Sequence, residues 1–167
     1  MKLFGGENVA ERFRGKPIRT LEVGGRPGSQ LRVELASAGR WTSNLAQELL
    51  ADRNLQNPSA ERVNAILVQA RDFGVRDYER DYNVVTHKAQ KEGLALCPQL
   101  TGPELALLDT DLIENDMRAN VLSKPVTDRG GNLSLFELNR DEGRLKLDGR
   151  WTDGGWSPGR FVVARLR

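Results

Sequence analysis

Two chemically versatile residue types are almost missing. The 167-residue chain has one cysteine, Cys97, and one histidine, His87. A lone cysteine forms no internal disulfide and points mildly to a reducing compartment. No dense set of His, Cys, Asp and Glu surrounds Cys97, and no phosphate loop or nucleophile elbow occurs. Aromatics are scarce at 6%. No apolar run approaches the ~20 residues that a membrane helix requires. The first residues, Met-Lys-Leu-Phe-Gly-Gly-Glu, hold no apolar stretch of a secretory signal.

What is present suits a soluble, cytoplasmic globular domain. Hydrophobic residues make up 38% and charged residues 29%. A chain of this length buries enough surface to fold without metal or disulfide. Net charge is +2, but the cations concentrate at the two ends. Residues 1–40 hold 8 Lys/Arg against 4 Asp/Glu, and residues 41–116 hold 7 against 13. Residues 117–167 hold 10 against 6. Such a layout steers an anionic partner to one face, or neutralises itself within the fold.

Residues 1–16 read as a mobile basic arm, and 17–167 as a single α+β domain. Ile18, Leu21 and Val23 predict a short strand. Leu31, Val33 and Leu35 predict a helix capped by Ser29 and stopped at Gly39. Leu45, Leu49 and Leu50 predict another, capped by Thr42 or Ser43. Val63, Ile66, Leu67 and Ala70 recur at helical spacing over 59–72, up to Gly74. Asp81 opens a further helix that ends at Gly93, and Pro103 sits in the first turn of a brief one. After residue 117 the pattern becomes β-rich. Segments 133–139, 145–151 and 161–166 are separated by Gly-containing turns. The expected architecture is therefore a helical N-terminal two-thirds on a C-terminal antiparallel β-meander.

One stretch has a tightly prescribed backbone: Gly93, Leu94, Leu96, Cys97, Pro98, Gly102, Pro103, Leu105 and Leu107. With Lys124-Pro125-Val126-Thr127-Asp128, and with Trp156, Pro158, Arg160, Phe161, Val162, Val163 and Arg165, it resembles a family of small uncharacterised bacterial proteins. That family is marked by "GLxLCPxxxGPxL" and a C-terminal "WxPxxRFVxxR". The likeness implies a shared fold over residues 18–167 and carries no activity. Leu100 and Ala106 stand where the family tends to have Glu and Arg.

Three groups of residues invite chemistry. Cys97 and His87 suggest a thiol nucleophile and its base, yet nothing basic adjoins Cys97 to lower its pKa. Buried free cysteine more often serves as a small hydrophobe. Asp109, Asp111, Glu114 and Asp116 suggest a hard-cation loop, but the central glycine of an EF-hand is missing. An acidic lip for a basic partner is the other reading. Arg12, Arg14, Lys16, Arg19 and Arg26 form a basic arm.

Arg144, Lys146 and Arg150 alternate with Leu145, Leu147 and Trp151. One strand face should therefore carry the cations while Trp151 and the leucines turn inward. Arg160 lies on the next expected strand and Arg165 five residues on, so only one of them can extend the patch. The resulting expectation is a non-catalytic interaction or regulatory protein. It would bind a macromolecular partner through Arg144, Lys146, Arg150 and Arg160, without cofactor, metal or membrane. A protein partner is favoured. Nucleic acid at the basic strands, and a small enzyme or toxin using Cys97 and His87, are the alternatives.

Overall fold

The structure, a computed structural model, describes residues 13, 15–76, 81–153 and 159–165. Nine strands form one mixed sheet that curls into a half-barrel. They are β1 (Ile18–Val23), β2 (Trp41–Thr42), β3 (Glu61–Gln69), β4 (Leu94–Ala95), β5 (Arg118–Val121), β6 (Val126–Thr127), β7 (Leu133–Asp141), β8 (Arg144–Trp151) and β9 (Arg160–Arg165). The order across the sheet is β1-β3-β9-β5-β7-β8-β2, with β4 on β9 and β6 on β7. Four α-helices occur among the described residues: α1 (Gly28–Ser37), α2 (Asn44–Leu50), α3 (Tyr82–Lys91) and α4 (Thr101–Leu107). None is long and apolar enough to cross a membrane.

This overturns the expected helical N-terminal two-thirds and the C-terminal meander. Residues 61–69 are not a helix but one of the longest strands. Their apolar run is ambiguous by periodicity, because a strand covered on both faces shows no alternation. Val63, Ala65 and Leu67 belong to one core cluster, whereas Ile66 and Val68 belong to the other. The apparent helical spacing came from two interleaved faces. The meander fails at β9, which does not pair with β8. It inserts between β3, antiparallel, and β5, parallel. β7 and β8 alone form the long antiparallel hairpin of that region.

Helices α1, α2 and α4 cover one face of the sheet. Leu31, Leu35, Leu49, Leu50 and Leu105 meet Phe136, Leu138, Leu147 and Val162 there. In α1 the buried stripe is Leu31 and Leu35, one turn apart, and Val33 is 64% exposed. Ser43 caps α2 by accepting from the Ala46 N–H at 3.0 Å. Asp81 caps α3 by accepting from Asn83 and Val84. Two glycines allow close approach on this face. A Cβ on Gly102 would lie 2.8 Å from Phe136 Cβ, and one on Gly149 would lie 2.7 Å from Leu45 Cγ.

The second face is divided. Over β3 and β9 it is apolar and covered by α3 and the 3-10 turn Ala70–Phe73. Phe73 meets Phe161 edge-on, with ring centroids 5.9 Å apart. Over β5, β7, β8 and β2 the same face turns polar.

Of the expected arm, residues 1–12 and 14 lie outside the described residues. Phe13 is buried in the second cluster. The basic residues that follow are neutralised within the fold. Lys16 pairs with Asp72 at 2.8 Å, Arg19 pairs with Asp111, and Arg26 bridges Glu34 and Glu104.

Candidate functional site

Alternation in β8 is as regular as its sequence. Leu145, Leu147 and Gly149 are buried against the helices, and Arg144, Lys146, Asp148 and Arg150 share the opposite face. The hairpin register sets each beside a partner on β7: Asp141 by Arg144, Asn139 by Lys146, Glu137 by Asp148 and Leu135 by Arg150. Trp151 does not turn into the core as expected. It ends the strand, is 54% exposed, and donates its indole N–H to Asp128 Oδ2 at 3.2 Å.

Arg160 does not join Arg144, Lys146 and Arg150. Two strands, β5 and β7, separate β9 from β8. Phe161 belongs to the second-face cluster, so Arg160 beside it points to the first face.

The three β8 cations have different commitments. Arg150 Nε donates to Glu137 Oε2 at 2.7 Å. The Glu137 side chain is only 2% exposed, against 42% for Arg150. Burial pushes the Glu137 carboxyl above the usual range, and the Arg150 hydrogen bond and charge only partly offset this. Arg150 is thus a counter-ion to a buried carboxylate. Lys146 reaches Asp141 at 3.2 Å and sits 5.5 Å from the ring centroid of Trp41. The Arg144 side chain has no hydrogen-bond or ion-pair partner among the described residues.

Beside this strand lies a depression of about 400 Å³. Its walls carry the side chains of Arg118 and Lys146 together with Asp116, Asp141 and Asp148, and Trp41 stands at one end. Arg140, which sequence reasoning did not single out, also borders the depression, but its register partner is the buried Leu145, so its side chain turns to the first face. It donates to Ile113 O at 2.6 Å, to Thr110 O at 2.7 Å and to Asp109. Those bonds hold the acidic loop. Asp109 and Asp111 are therefore taken up by Arg140 and Arg19, and the described residues contain no group of three or more side chains suited to a metal. Sequence reasoning also missed Arg118, since only the register of β5 brings it to this site.

Cys97 lies elsewhere, at the edge of a cleft of about 340 Å³. Its N–H donates to Leu122 O at 2.7 Å, and its thiol faces Val162 O at 3.7 Å. Burial pushes the thiol up to about 12, where it is no nucleophile at neutral pH. His87 is exposed on α3, whereas Cys97 is 3% exposed. The expected outcome is slow alkylation of Cys97 in the native protein. Cys97→Ser should lower stability by roughly 1 kcal/mol or more, because a hydroxyl is costlier to bury. A rapidly labelled thiol, followed by mass spectrometry, would contradict this.

Comparison with protein-family models, curated proteins and solved structures returned no match for this chain.

Proposed function

We propose that this chain is a non-catalytic binding protein of the cytoplasm that docks a protein partner on the polar half of its second sheet face. The observation that carries the reading is the mixed-charge depression beside β8, ending at the exposed Trp41. Protein interfaces favour Trp and Arg, with charges of both signs arranged to fit a partner. Nucleic acid fits less well. A uniform polyanion lying there would meet Asp116, Asp141 and Asp148 as well as the cations.

Charge reversal tests this. Arg150 must be left in place, since a Glu there would face buried Glu137. The double variant Arg144→Glu, Lys146→Glu touches exposed and half-buried positions and should fold normally. Capture from a nuclease-treated native lysate should recover a protein with the wild type and lose it with the variant. Moderate salt should weaken the wild-type complex. Equal recovery by the folded variant would dismiss the reading. Loss of the bound material on nuclease treatment alone would favour nucleic acid.

A further inference from the structure

Four residues of the depression stand in one line across four strands. Arg118 on β5 is the register partner of Asn139 on β7, and Asn139 is the partner of Lys146 on β8. Lys146 is in turn the partner of Trp41 on β2. Register partners share a face, so all four side chains rise from the same side of the sheet. All four line the depression.

Their commitments differ in a useful way. Arg118 and Asn139 make no side-chain hydrogen bond or ion pair among the described residues, although the Arg118 charge acts on the buried Glu137 carboxyl without touching it. Lys146 has the Asp141 pair, whose members are both partly exposed, and the contact with the Trp41 ring. Such pairs are worth little and exchange readily. Arg118 and Lys146 are thus available to an incoming anion, while Arg140 is not. Their separation is two strand spacings, about 9–10 Å. A peptide in the polyproline II conformation has three residues per turn and a rise of about 3.1 Å, so its side chains i and i+3 leave the same side about 9 Å apart. Carboxylates at positions i and i+3 of such a peptide therefore span Arg118 and Lys146, with Asn139 between them to meet its backbone.

We propose, resting on the binding reading above, that the row Arg118–Asn139–Lys146–Trp41 receives a polyproline II segment of the partner with two carboxylates three residues apart. The flanking Asp116, Asp141 and Asp148 select against a continuous run of acids and favour neutral or basic residues beside the pair. Trp41 holds Lys146 on its ring and offers an indole N–H at the end of the row.

The test uses the ¹⁵N-labelled full chain and the peptide acetyl-Glu-Ser-Gly-Glu-amide. Trp41 supplies an indole resonance, assigned with Trp41→Phe, and Asn139 supplies a side-chain amide. Both should shift on titration, with a dissociation constant of order 1 mM. The Gln-Ser-Gly-Gln peptide, and the Glu peptide with Arg118→Gln, should bind at least roughly tenfold more weakly. Equal shifts with the Gln peptide, or none with either, would overturn the proposal. So would shifts given by oligothymidylate but not by the Glu peptide. If the Arg144→Glu, Lys146→Glu variant loses its captured protein while the Glu peptide shows no site, the binding reading stands and this inference falls.

Discussion

Arg150→Ala should cost about 2–3 kcal/mol at pH 7, measured by urea denaturation. Breaking a fully buried ion pair costs ~3–5 kcal/mol, and Arg150 is partly wetted, which lowers the figure. The loss arises on β7. Without Arg150, the Glu137 carboxylate keeps its burial and loses its hydrogen-bonded counter-ion. The pH dependence gives the sharper signature. Glu137 already holds its proton more tightly in the folded protein than in the unfolded chain. Its ionisation therefore erodes stability as pH rises from the ordinary carboxylate range through the raised folded value. In the Arg150→Ala protein this erosion should deepen, and the variant should recover most of its loss at the acidic end of that window. Glu137→Gln removes the charge, so it should be at least as stable as the wild type at pH 7. Combined with Arg150→Ala, it should rescue the variant. An Arg150→Ala defect unchanged by Glu137→Gln would refute the account of this pair.

The second large effect is at Gly102. Alanine in place of glycine inside a helix ordinarily stabilises by about 1 kcal/mol. In α4 the sign should reverse. The added methyl would lie 2.8 Å from Phe136 Cβ and 3.3 Å from Val121 Cγ2, and a Cβ is fixed to the backbone of β7. Overpacking of this kind costs about 1–3 kcal/mol. Thermal or urea unfolding of Gly102→Ala should show a clear loss. A stabilised variant would mean that α4 does not lie directly on β7.

The reasons for legibility follow from these same elements. The β8 pattern was readable because one face is buried and the other polar, so period 2 survived in the residues. α2 and α3 carried explicit caps in Ser43 and Asp81. β3 was not readable, because burial on both faces erases alternation and leaves spacings that mimic a helix. The insertion of β9 between β3 and β5 has no local signal, since pairing of strands distant in the chain is set by tertiary packing. The cations of residues 16–26 looked like a free basic surface, but their partners Asp72, Asp111, Glu34 and Glu104 lie far along the chain or on another element. The site shares both properties. Arg144, Lys146 and Arg150 were visible as one strand face. That Arg150 is held by Glu137, that Arg160 faces the other way, and that Arg118 and Trp41 complete the row all depend on cross-strand register.

A partner seated, as proposed, on the polar half of the second sheet face should slow backbone exchange there, which hydrogen–deuterium exchange on the complex captured from lysate measures. Protection should appear in residues 116–118, 139–148 and 41–42, with no change along α1 around exposed Val33 or at the cleft beside Cys97. Protection confined to α1, α2 or residues 94–101, with the β7–β8 hairpin exchanging as in the free protein, would contradict it.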